Sequence, residues 1–161
     1  MESINDLPAH VLLVHAPVVL LPLTTLAALV VAARPGLRRR AGVGLAVATG
    51  VVLVATWLAK ESGEAFDELL DGAVNTSRHE SLAETTMVLV LLFFLGTTAA
   101  VAADWWGRRG GPAWLDRAAG GLMAVSTVVA VVATVWMVRT GDEGARLVWD
   151  GVVSTISPPG G

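Results

Sequence analysis

Apolar residues run along this chain in four long stretches whose interiors carry almost no charge, separated by shorter segments rich in Arg, Gly, Pro or acidic residues. Each stretch offers about the 20 consecutive apolar residues that a helix needs to cross a hydrocarbon layer roughly 30 Å thick. The pattern predicts helices over residues 9–33, 41–60, 82–103 and 117–138. The implied fold is all-α. It is a single polytopic membrane domain over residues 1–161, its four transmembrane helices packed as an up-down-up-down bundle because the connections are short or moderate.

Composition agrees. With 54% of the residues hydrophobic and a mean hydropathy of +0.66, the chain has too little polar surface for a soluble domain of this size. The acidic start, Met1-Glu2-Ser3-Ile4-Asn5-Asp6, lacks a positive leader, so the first helix is expected to be retained. Cysteine is absent, which excludes disulfides, thiolate metal sites, iron–sulfur clusters and covalent haem attachment through Cys. Any metal or haem must rely on nitrogen and oxygen ligands.

Charge sets the expected orientation. The turns at Arg34-Pro35-Gly36-Leu37-Arg38-Arg39-Arg40 and around Arg108, Arg109 and Arg117 hold seven arginines against Asp104 and Asp116. The opposite side holds Lys60, Arg78, Arg139 and Arg146 against twelve acidic residues, completing the net charge of −3. Basic loops stay on the cytoplasmic side, so both termini are expected outside. Trp105, Trp106 and Trp114 beside the inner turn, and Trp57, Trp136 and Trp149 near the outer ends, fit two headgroup levels.

Polar groups collect at the outer end from all four helices: His10 and His15, then Glu61 and Glu64, then His79, Glu80 and Glu84, then Arg139 and Asp142. His15 lies five residues beyond His10, about 7.5 Å deeper and roughly 140° around the helix. His10 is expected at the interface and His15 inside the apolar layer, where an ionisable group marks function. Pro17 and Pro22 each remove a backbone hydrogen bond and should kink the first helix beside His15. Ser77-Arg78-His79-Glu80 spells a capping box, which accounts for Glu80; Glu84 sits deeper and needs a partner, for which Arg139 is available. Gly42, Ala46 and Gly50, and Gly120, Gly121 and Ala124, read as close helix packing.

The segments Leu7-Pro8-Ala9-His10-Val11-Leu12-Leu13-Val14-His15-Ala16-Pro17, a Ser62-Gly63-Glu64 turn, His79-Glu80 and Gly141-Asp142-Glu143-Gly144-Ala145-Arg146-Leu147-Val148-Trp149 resemble the bacterial membrane family named domain of unknown function 2231. The resemblance spans nearly the whole chain, and the Leu-Pro-x-His-x4-His-x-Pro opening is its most specific part. It implies a small four-helix protein of the bacterial inner membrane. Relatives that carry the domain beside cytochrome-like or iron–sulfur modules point to redox work. Asp142 stands where similar proteins often have histidine, so a ligand of relatives would be altered or lost here.

These residues support an outer-side b-type haem, with His15 and His79 as ligands from different helices and His10 as the substitute. A non-haem version takes His15 and His79 with Glu64, Glu84 or Asp142, a donor set acceptable to iron, zinc or copper. Either version makes the protein an electron carrier or accessory redox subunit, served by a periplasmic or membrane redox partner. The competing reading is a cofactor-free structural or assembly subunit, for which the acidic run Glu61, Glu64, Asp67, Glu68 and Asp71 offers an outer docking face. Ion translocation is disfavoured because the middle and inner thirds of the helices offer only Thr, Ser and small residues. Nucleic-acid binding is disfavoured because topology already explains the arginines. No nucleophile–base pair is visible, so no independent catalytic activity is expected.

Overall fold

Two prolines and one tight turn shape the first half of the molecule. The computed structural model describes residues 3–4, 7–70 and 75–156. Ser3–Ile4 pairs antiparallel with Leu7–Pro8, and the chain enters helix α1, Ala9–Leu13. Helix α2, His15–Ala33, follows after Val14, which keeps right-handed helical angles and donates its N–H to the His10 carbonyl at 3.0 Å. The interruption falls one turn ahead of Pro17, which lacks the N–H that the Leu13 carbonyl would accept and crowds that carbonyl with its ring. The expected helix 9–33 is therefore two nearly continuous pieces. Pro22 is accommodated inside α2.

Arg34 is extended at φ −132° and ψ 92°, as the residue before a proline is forced to be, and this alone separates α2 from α3. Pro35 opens α3, Pro35–Leu70, at a position where its missing N–H costs nothing. Helix α4 is Ser77–Gly107 and α5 is Trp114–Ile156. At 36, 31 and 43 residues, these three outrun the expected segments 41–60, 82–103 and 117–138. The reason is that hydropathy ends where charge begins, whereas a helix continues through good helix formers such as Glu, Arg and Ala. Ser62-Gly63-Glu64 is thus a stretch of helix, not a turn, and Gly141 to Trp149 is helical throughout. At about 1.5 Å per residue α5 is about 65 Å long, roughly twice the hydrocarbon thickness.

The expected capping box does not form. Ser77 is already the first helical residue, and both its N–H and its hydroxyl donate to the Asn75 side chain, while Thr76 holds the N-cap position and donates to Asp67 and Glu80.

Each helix buries residues spaced by three and four: Pro17, Leu21, Thr24, Ala28 and Val31 on α2, and Thr86, Val90, Phe93, Thr97 and Ala100 on α4. That spacing is the seam of a helical bundle. The core gathers Leu21, Val52, Val90, Phe93, Met123 and Ala133, while Val19, Leu26, Val47, Val54, Leu92, Val125 and Val135 point outward. Four helices are long and apolar enough to cross a membrane, and the apolar outer faces are what a bilayer solvates. Helices α2 and α4 each pack against both α3 and α5, so the four form a ring. Between α4 and α5, Thr86 meets Thr140 at 3.1 Å and Thr97 meets Ser126 at 2.8 Å, the sense of two antiparallel helices.

Candidate functional site

All three histidines lie at one end of the ring, and two of them, His10 and His79, are held by backbone carbonyls. His10, on α1, places Nδ1 3.1 Å from the Ala59 carbonyl and 3.2 Å from the Ser62 hydroxyl, both on α3. His79, in the first turn of α4, places Nδ1 3.0 Å from the Thr140 carbonyl on α5. A carbonyl only accepts, so Nδ1 carries a proton in both rings, and in the neutral form of either ring the lone pair is on Nε2. That tautomer is the one used by histidines that bind metals through Nε2.

A glycine makes room for each ring. A Cβ on Gly63 would come within 3.0 Å of the His10 ring, and a Cβ on Gly144 within 3.0 Å of the His79 ring. Both imidazoles, half-buried, therefore bring the side of the ring that carries Cε1 close against a neighbouring helix at a glycine. Burial holds the His10 imidazole below its ordinary range, the Ala59 carbonyl opposes this, and charge on His79 pushes it further down.

His15 is exposed at the start of α2. The carboxylates named with it are dispersed. Glu64 pairs with Lys60 one turn back, Asp142 pairs with Arg146 at 3.0 Å, and Glu84 is exposed. Arg139 lies over the Trp136 ring rather than on Glu84. Among the described residues no group of three or more His, Asp or Glu is arranged to hold a metal ion. Glu61, Glu64 and Asp67 ride on the extended end of α3, whereas Asp71 lies outside the described residues.

The opposite end holds something that hydropathy did not suggest. Arg38, 7% exposed, donates from Nε to Asp104, 4% exposed, at 3.3 Å, and reaches Asp116 at 3.0 Å. Arg108 and Arg39 approach the same two carboxylates. Arg38 and Asp104 lie just outside the expected segments 41–60 and 82–103: α3 and α4 continue past their apolar stretches and bury an ion pair between them. In between, hydroxyls join helices, with Thr25 against Thr134 at 3.0 Å and Ser126 donating to the Phe93 carbonyl at 2.9 Å. Among the described residues, no buried side-chain N or O lacks a hydrogen-bond partner.

The signal that sequence reasoning missed was spacing. His10 stands seven residues before Pro17 and His79 seven before Thr86, so both continue the buried seam. Comparison with curated proteins and with solved structures finds no match. A family model described as a predicted membrane protein matches residues 6–157. Four membrane-length helices and that near-complete match agree, and the chain belongs to the DUF2231 family of predicted membrane proteins.

Proposed function

We propose that this multi-pass membrane protein holds a haem b or a metal ion at its histidine end and serves as an electron carrier or accessory redox subunit. The observation that carries this reading is the backbone carbonyl on each clamped ring, Ala59 for His10 and Thr140 for His79, which fixes the proton on Nδ1. A histidine needed only for packing has no use for a fixed tautomer; a ligand does. His15 and the nearby carboxylates Glu64, Glu84 and Asp142 belong to the wider rim of this end and could serve a bare ion through bridging water.

In this reading the histidine end faces outward in a bacterial inner membrane, with both termini on that side and the arginine turns in the cytoplasm, as the seven arginines of those turns favour. An outward centre would exchange electrons with a periplasmic or membrane redox protein. A second reading, a cofactor-free structural or assembly subunit, draws on the pairing of the buried polar side-chain atoms among the described residues, since a satisfied hydrogen-bond network can be an end in itself.

The test is the ultraviolet–visible spectrum of detergent-purified protein before and after dithionite, with metal analysis of the same sample. A Soret band that shifts on reduction, or stoichiometric metal, supports the redox reading. Neither, in protein expressed with ample haem and metal, moves the assignment to the assembly subunit.

A further inference from the structure

Along one seam the two halves of the molecule bury matching positions. Shifting Pro17, Leu21, Thr24, Ala28 and Val31 of α2 by 69 residues lands on Thr86, Val90, Phe93, Thr97 and Ala100 of α4, each buried. Shifting Leu45, Thr49, Val52, Thr56 and Ala59 of α3 by 81 residues lands on Ser126, Ala130, Ala133, Met137 and Thr140 of α5, each buried again. The difference of 12 between the two shifts falls at the bends: the connection is five residues longer, a single residue between α2 and α3 against residues 108–113 between α4 and α5, and the end of α4 and the start of α5 add seven more helical residues. Packing obeys the same relation, since α2 and α4 both touch α3 and α5.

The clamps obey it too. His10 shifted by 69 is His79, Ala59 shifted by 81 is Thr140, and Gly63 shifted by 81 is Gly144. Ring, carbonyl acceptor and glycine therefore recur as a unit, at 3.1 Å in one copy and 3.0 Å in the other. A hydrogen bond formed by chance in one half would not be repeated with its glycine in the other. His15 has no such counterpart, for its shifted position is Glu84.

We propose that the chain is a tandem repeat of one helical hairpin whose two copies each supply one clamped imidazole, His10 and His79, as the axial ligands of a single planar iron tetrapyrrole. This rests on the cofactor reading above and narrows it. His10 stands on α1, the short helix that leads into α2, and His79 on α4, each seven residues before the first buried position of the seam, with the glycines on α3 and α5. Two imidazoles related by an approximate twofold axis suit a ligand with two equivalent faces. A bare ion would find two protein donors here, because no third His, Asp or Glu among the described residues joins them. A tetrapyrrole brings four in-plane nitrogens of its own and asks the protein for two axial ones.

The experiment uses the full chain, purified in detergent and titrated with hemin, and reads the absorption and electron paramagnetic resonance spectra. One equivalent of low-spin, six-coordinate haem is expected. His10→Gly and His79→Gly should each abolish the low-spin spectrum, and millimolar imidazole should restore it, which a variant that fails to fold would not allow; far-ultraviolet circular dichroism checks helicity in parallel. His15→Gly should leave the spectrum unchanged. Low-spin haem that survives His10→Gly or depends on His15 overturns the symmetric assignment while the cofactor reading stands. Stoichiometric bound metal without tetrapyrrole overturns the assignment in the same way. Failure of the wild-type chain to bind hemin or any metal overturns both.

Discussion

Arg38 and Asp104 meet at 3.3 Å with almost no solvent access to either, joining α3 to α4 at the end of the bundle farthest from the histidines. Asp104 is the carboxylate on which Arg38, Arg39 and Arg108 converge, so its removal strands a buried guanidinium with only the exposed Asp116. Asp104→Ala should destabilise the protein by about 3 kcal/mol, the usual cost of breaking a buried pair from one side. The double change Arg38→Met with Asp104→Leu should recover most of that loss. Unfolding in mixed micelles, followed by circular dichroism, measures both, and a double variant no better than the single one would refute the account.

Gly141 and Gly144 sit about one turn apart on α5 and should answer substitution oppositely. A Cβ at Gly141 meets nothing within 4 Å, so Gly141→Ala gains helix propensity and should stabilise by about 0.5–1 kcal/mol. A Cβ at Gly144 meets the His79 ring at 3.0 Å. Gly144→Ala should push the ring off the Thr140 carbonyl and cost about 1–3 kcal/mol from overpacking. Melting curves of the two variants, with the His79 ring signals by nuclear magnetic resonance, decide the matter.

Thr97 and Ser126 share a buried hydroxyl contact at 2.8 Å between α4 and α5. Hydrogen bonds of this kind inside membranes couple by about 0.6 kcal/mol, because the unfolded chain in the membrane also finds partners. A double-mutant cycle of Thr97→Val and Ser126→Ala should return a coupling of that size. A value above about 2 kcal/mol would mean that the hydroxyls set the helix register rather than merely tolerate it.

Orientation can be read directly. Alkaline phosphatase fused after Gly161 should be active, and fused within the turn that holds Arg38 it should be inactive. The reverse pattern would place the histidine end in the cytoplasm and remove the periplasmic partner from the proposal.

The helices were legible because apolar runs of membrane length leave few alternatives. Their ends were not, since Glu61 to Leu70 and Arg139 to Ile156 are charged enough to look like loops, and the second stays helical although Gly141, Gly144 and Gly151 disfavour it. The three histidines were correctly placed at one end, but depth favoured His15, whereas the buried seam favours His10. Depth along an axis follows from residue number alone; which side a ring faces depends on the phase of the whole helix, carried here through Val14. The buried ion pair escaped notice because Arg38 and Asp104 lie just beyond the apolar runs and read as loop charges. The repeat was hidden because its halves share burial rather than identity, as Leu45 against Ser126 and Thr24 against Phe93 illustrate.

The single extended residue Arg34, held so by Pro35, closes the first hairpin with both basic and hydrophobic signals on a few residues of chain. A unit so compact enters a bilayer as one piece, with its charged bend deciding which face it stays on. Copied head to tail, it keeps that decision without relearning it, for the second bend again carries arginines and again lies at the end opposite the histidines. Both bends vote for the same face, so the insertion of this protein should tolerate the loss of arginines from either one.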